Sequence, residues 1–174
     1  MERLILVRPG EEHEAAVMDY RRRFLCAGEV LHGCAGLERF ERYGGWLQMM
    51  RDNCREETVH APLVPATTFL ALREEDEQLA GVIDVRHRLN DYLLAQGGHI
   101  GYSVHPDLRR RGYAKQMLSL ALEECRKMGM RRVLVTCDKE NAASARTIRA
   151  NGGVLENEVE AGGRTTQRYW IALP

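Results

Sequence analysis

At 174 residues, with 44% hydrophobic and 29% charged residues, the chain has the size and composition of one soluble globular domain, and residues 1–174 are read as a single unit. Its 25 Lys and Arg balance 25 Asp and Glu, so no overall basic field points to nucleic acid or to an anionic membrane surface. There is no apolar run of membrane-spanning length, and Met1-Glu2-Arg3 leads straight into a strand-like segment rather than a signal peptide; the expectation is a cytoplasmic protein. Five cysteines, an odd number without a C-x-x-C pair, argue against a disulfide framework or zinc site, and the six histidines lack metal-ligand spacing.

In chain order, Arg3–Arg8 reads as a first strand stopped by Pro9-Gly10, and Glu11–Leu25 as a helix broken at Ala27-Gly28. Gly33–Gly36 is a joint before a second helical stretch, Leu37–Cys54, whose Phe40, Tyr43, Trp46, Leu47 and Met50 share one side despite Gly44-Gly45. Helical periodicity of this kind favours core packing over a substrate-binding stripe. After Pro62 and Pro65, Thr67–Leu72 and Leu79–Val85 form a hairpin around the acidic turn Glu74–Glu77, and Arg86–Leu94 is a polar connection. Ile100, Tyr102 and Val104 alternate with Gly101, Ser103 and His105 as a strand does, and Pro106 ends it. From Ala114 to Met128 the apolar residues Met117, Leu118, Ala121, Leu122 and Cys125 recur at helical spacing. Val133–Cys137 is a further strand, and Val154–Glu160 and Thr166–Leu173 make a final hairpin across Gly162-Gly163.

The chemistry is most legible in the turn Arg109-Arg110-Arg111-Gly112-Tyr113-Ala114. The first turn of a helix leaves backbone N–H groups without intrahelical partners and carries partial positive charge, so it attracts an anion. Gly112 and Ala114 keep side chains out of the way, and the arginines add forked donors. On the turn alone, phosphate binding and a solvated basic loop remain equal alternatives. Neither G-x-x-x-x-G-K-[ST] nor G-x-G-x-x-G occurs in the chain.

Arg109, Gly112 and Ala114 match R/Q-x-x-G-x-G/A. A second block, Val133–Cys137 followed by Asn141-Ala-Ala-Ser144, Ile148 and Gly152-Gly153, follows at the expected separation. Together these blocks resemble the GCN5-related N-acetyltransferases. The resemblance implies an α/β (α+β) fold: a mixed, mostly antiparallel sheet of six to seven strands, splayed between the fourth and fifth, with about four helices. It implies acetyl-CoA as cosubstrate and no metal. The cofactor's pyrophosphate would rest on Arg109, Arg110, Arg111, Gly112, Tyr113 and Ala114 with Lys115 close by, and pantetheine would run beside Tyr102, Ser103, Val104 and His105. An amide near Val104 would bond the thioester carbonyl. Asn141 and Ser144 match cofactor-contacting positions, although Asn141 equally suits a helix N-cap and Ser144 a small packing residue.

The reaction so implied is direct attack of an amine on the thioester in a ternary complex, and the amine must lose a proton. Family members commonly carry a tyrosine acid seven residues beyond the asparagine; Ile148 stands there in this chain. His99, at the head of the central strand, is the candidate base, with Tyr169 and His87 as weaker candidates and solvent as the alternative. The acceptor is expected to be a small-molecule amine, walled by the N-terminal helices, Arg86–Leu94 and the glycine hairpin. In that wall Arg86 and Asn90 are read first as loop-bracing residues. Neither a nucleic-acid nor a membrane partner is expected, and the protein is a monomer or homodimer. The rival reading is a non-catalytic acyl-CoA-binding module that keeps the cradle without turnover.

Overall fold

The computed structural model describes residues 2–174. Its elements in chain order are β1 (Leu4–Val7), α1 (Glu14–Ala27), α2 (Tyr43–Asn53), β2 (Ala66–Arg73), β3 (Leu79–Arg86), β4 (Ile100–Val104), α3 (Tyr113–Lys127), β5 (Arg132–Asp138), α4 (Ala142–Ala150), β6 (Val154–Ala161) and β7 (Arg164–Ala172). The strands form one sheet in the order β1-β2-β3-β4-β5-β7-β6. All neighbours are antiparallel except β4 and β5, which are parallel. The expected mixed, mostly antiparallel sheet and four α-helices are what the chain forms.

Two boundaries differ from the periodicity. Glu11–His13 is a separate 3-10 turn before α1. The stretch read as one helix from Leu37 is a 3-10 turn, Leu37–Arg39, followed by α2. Between them Phe40 and Arg42 are extended, so Gly44 and Gly45 fall in the first turn of α2, where a backbone without side chains costs the helix least. The connection after β3 contains one π-type turn, Leu93–Gly97.

Each face of the sheet buries its own cluster. On one, Met117, Leu118, Ala121 and Cys125 of α3 and Ile148 of α4 pack on Ile83, Ile100, Val135 and Tyr169. On the other, Val17, Tyr20 and Phe24 of α1 and Trp46, Leu47 and Met50 of α2 cover Leu70, Leu72 and Val82. The aromatic stripe of the second helical stretch is therefore core. Removal of such side chains from water contributes about 1.5–3 kcal/mol each, which fixes both helix pairs to the sheet.

The α1–α2 loop is fastened to β4. The Trp46 indole donates to the Cys34 carbonyl at 2.9 Å. The Ser103 hydroxyl donates to the His32 carbonyl at 2.6 Å, and the Tyr20 hydroxyl reaches the Ser103 Oγ and carbonyl, both at 2.9 Å. Gly33, at φ +68°, lies so close to β4 that a Cβ there would sit 2.2 Å from the Gly101 carbonyl oxygen. Only glycine allows this contact. Because Trp46 is fully buried and holds the loop through Cys34, Trp46→Ala is expected to cost about 3–5 kcal/mol, read as a lower urea midpoint at unchanged slope.

Candidate active site

Pairing between β4 and β5 is confined to Ile100 and Val135; beyond that point the strands part. β4 pairs with β3 without a bulge, and the bonds Arg86 N–H to His99 C=O and His105 N–H to Ala80 C=O show which residues face β3. By alternation, the main-chain groups of Tyr102 and Val104 face the opened gap. A cleft of about 1080 Å3 follows this gap from the turn before α3 to the β6–β7 hairpin.

At one end lies the anion cradle. Arg109 is extended, Arg110 is left-handed at φ 63° and Gly112 is left-handed at φ 82°. Such alternation turns successive N–H groups to one side, a concavity suited to an anion. A left-handed arginine is disfavoured by roughly 1–2 kcal/mol, strain held where the backbone must curl. The hydrogen bond from Gln116 N–H to the Gly112 carbonyl, 3.2 Å, opens α3, so the N–H groups of Tyr113, Ala114 and Lys115 have no acceptor within the helix. Arg110, Lys115 and Arg146 add positive charge to this end of the cleft.

Not every residue of the turn reaches the cleft. Arg111 does not line it. Arg109 does, but its guanidinium turns sideways onto the Glu29 carboxylate, 3.1 Å from Oε1, and stacks over Phe24 with 5.5 Å to the ring centroid. Tyr113 contributes its backbone, while its hydroxyl donates to Glu2 in the core's margin. His105 lies off the cleft: its Nδ1 accepts from the Asp107 N–H at 3.2 Å and its ring packs edge-on against Tyr20. Ser103 and Val104 line the gap, the former with its hydroxyl committed to His32. Asn141 caps α4, accepting from the Ser144 N–H at 3.0 Å, and both residues line the cleft.

Neither histidine nor tyrosine singled out as a proton carrier is in the cleft. The Nδ1 of His99 accepts from the Leu134 N–H at 2.9 Å and its ring meets Trp170 edge-on. Burial, reinforced by the nearby Arg86 charge, pushes its pKa down to about 4. Tyr169 is wholly buried, donating to Gln167 Oε1 at 2.7 Å. His87 is hydrogen-bonded to Thr67 at 2.8 Å, away from the gap. His99, Tyr169 and His87 thus stand outside the lining of the cleft: a strand's alternation tells which residues share a face, not which face opens on the cleft.

The structure instead brings Tyr102 across the gap. Its hydroxyl is 2.8 Å from Ser144 Oγ, joining β4 to the first turn of α4. Burial pushes the phenol up to about 12, so it is a proton-bearing donor at neutral pH. Cys137 borders the same space with its thiol also raised by burial. At the far end Arg86 bonds Asp84 at 2.9 Å and donates to the carbonyls of Gly97 and Gly98 at 3.2 and 3.4 Å, while Asn90 bonds Leu93 and Pro62. Among the described residues, no three His, Cys, Asp or Glu side chains are grouped to hold a metal, and no helix is long and apolar enough to cross a membrane.

A family model described as the acetyltransferase (GNAT) family matches residues 31–152, most of the chain. No curated protein matches the sequence. Similar solved structures include a putative ribosomal-protein-serine acetyltransferase from Vibrio cholerae, 16% identical, with a TM-score of 0.67 over 99% of this chain and 95% of that one. A Salmonella typhimurium acetyltransferase that modifies the N-terminal serine of ribosomal protein L7/L12 is 18% identical, with a TM-score of 0.67 over 98% and 95%. RimL, an L7/L12 α-N-protein acetyltransferase solved with coenzyme A, is 17% identical, with a TM-score of 0.70 over 98% and 94%. At these identities the likeness is one of fold.

His99 makes the stability of the fold sensitive to acid. The unfolded chain takes up this proton near the ordinary histidine value of about 6.5, whereas in the fold His99 resists protonation until about pH 4. Stability is therefore present above about pH 6.5 and is lost as the pH falls through that window. His99 contributes a slope of at most ~1.4 kcal/mol per pH unit, and His99→Gln is expected to flatten the acid side of a urea-stability profile.

Proposed function

The chain belongs to the acetyltransferase (GNAT) family, and from that premise we propose that it transfers the acetyl group of acetyl-CoA to an amine. The observation that carries this reading is the continuity of two features: the curled Arg110–Gly112 backbone at the start of α3 and the free β4 edge leading from it. The amides of Gly112 to Lys115 would hold the diphosphate, with Arg110 and Lys115 offsetting its charge. Asn141 and Ser144 would border the pantetheine arm. The group supplies an activated thioester; the chain supplies the Val104 N–H, fixed by its strand to donate to developing oxyanion charge without reorganising.

Tyr102 takes the part of proton donor to the departing sulfur. Ile148, in the position where a tyrosine was expected, is fully buried in the core, whereas Tyr102 brings a phenol into the gap from β4. Ser144 orients that hydroxyl and can refill its proton. This favours turnover over the binding-only reading, since a cradle without chemistry has no use for a protonated hydroxyl in the gap.

The acceptor would enter between the Leu93–Gly97 turn and the β6–β7 hairpin. Charges there are already paired, Arg86 with Asp84 and Arg164 with Asp138, so neither a polycation nor a polyanion is drawn to it. A small amine fits that balance. A protein N-terminus is the second reading, favoured by what the similarly folded L7/L12 enzymes modify.

Release of CoA thiol from acetyl-CoA, with mass spectrometry of the products, tests both acceptors against small amines and peptides with free N-terminal serine or alanine. Acetylated product with any acceptor supports the transferase, and none with all of them returns the chain to a binding module. Gly112→Val is expected to weaken coenzyme A binding at least ~10-fold by calorimetry, because valine resists the left-handed conformation that curls the cradle. Tyr102→Phe should lower kcat about 100-fold while the coenzyme A Kd stays within about twofold.

A further inference from the structure

We infer that His32, on the α1–α2 loop, is the group that accepts the acceptor amine's proton. The inference rests on the transferase reading above and assigns the one role that reading leaves unfilled.

The first support is the lack of another available base. Among the described residues, the cleft is lined by two carboxylates, Glu29 and Asp138, and one imidazole, His32. Glu29 is engaged by Arg109 and held below the usual carboxylate range by that contact, and Asp138 bonds Arg164 at 2.7 Å. Asp84 is buried beneath Arg86, and the Cys137 and Cys34 thiols are raised by burial, Cys34 to about 12. Every other base near the gap would have to break an ion pair or form a buried anion to take a proton. Among the described residues the His32 imidazole has no hydrogen-bond partner, and His32 is an exposed residue of the cleft wall.

The second support is placement. His32 is held by its backbone, not its ring, through the Ser103 hydroxyl on its carbonyl at 2.6 Å. Ser103 is in turn fixed by Tyr20, and the next residue, Gly33, touches the Gly101–Tyr102 backbone. This fastening sets the His32 backbone against the β4 segment whose Tyr102 and Val104 amides face the gap, in the wall of the same cleft, and makes no use of the ring nitrogens. Of the charged groups on its own loop and opposite it, Glu29 pairs with Arg109, Glu38 with Arg39 at 3.7 Å and Arg86 with Asp84, while Glu41 and Arg42 lie at the far end of the loop next to α2.

In the step so assigned, the amine nitrogen forms a bond to the thioester carbonyl carbon and passes one proton to a His32 ring nitrogen. The carbon–sulfur bond breaks, and its electron pair leaves with sulfur, which takes a proton from Tyr102. His32 then returns its proton to solvent, and solvent restores the proton of Tyr102 through the Ser144 hydroxyl, so each turnover converts one amine and one acetyl-CoA to one amide and one CoA thiol.

The test uses the full chain and the best acceptor from the amine and peptide panel. His32→Gln is expected to lower kcat/KM about 100-fold near neutral pH and to remove the acid limb of the wild-type pH profile, while the coenzyme A Kd stays within about twofold. Imidazole at high concentration should restore part of the lost rate. Activity within about twofold of wild type, or a fall that leaves the acid limb in place, overturns the assignment to His32 without touching the transferase reading. No transfer by the wild-type chain with any acceptor overturns both.

Discussion

A single register pair between parallel strands is the constraint on which the site depends. After Ile100 meets Val135, β4 and β5 separate, and the main-chain groups of Tyr102 and Val104 lose the partners a closed sheet would give them. Unpaired backbone groups are costly unless something answers them, so the gap is a place where a ligand with its own donors and acceptors is favoured. Everything else at the site is arranged around it: α3 begins at one end, α4 stands alongside, and the loop before α2 closes over the back of β4.

Charge at the site is distributed by the same logic. The end near α3 carries cations on Arg110, Lys115 and Arg146 together with backbone amides that point outward from the helix start. The other end holds its charges in pairs, so it presents shape and hydrogen bonds instead of field. Overall neutrality hides this difference, because the sums cancel across the molecule while the local potentials do not. Arg109 illustrates how little residue type says about role. It belongs to the basic turn, yet it ties that turn to Glu29 and Phe24.

Two tyrosines divide the work of β4 between its faces. Tyr20 approaches from the α1 side and fixes Ser103, and through it the His32 carbonyl. Tyr102 projects to the opposite face and reaches Ser144. Strand alternation makes this possible: successive residues of one short segment serve a structural clamp and a reactive gap without competing for space. The buried Ile148 fits the same scheme. Where Tyr102 fills the gap from β4, the α4 position is released to become core.

Periodicity and turn chemistry by themselves determined the strands, the long helix from about Ala114, the break before Pro106 and the tight basic turn, since these are local and are written in spacing of 2 or 3.6, in proline and in glycine. They also marked the aromatic stripe of α2 as core. What they did not contain was distance through space. That His99 is held by Leu134, that Tyr169 is enclosed, and that Arg111 and His105 stand away from the cleft depend on which face of each element the packing turns inward. His32 gave no signal, because it sits in a glycine-flanked loop without periodicity, and its neighbourhood with β4 some seventy residues later is made by tertiary contacts of His32, Gly33 and Cys34 with Gly101–Ser103. Local sequence sets φ and ψ; only the closed packing of both sheet faces decides which side chains share the cleft.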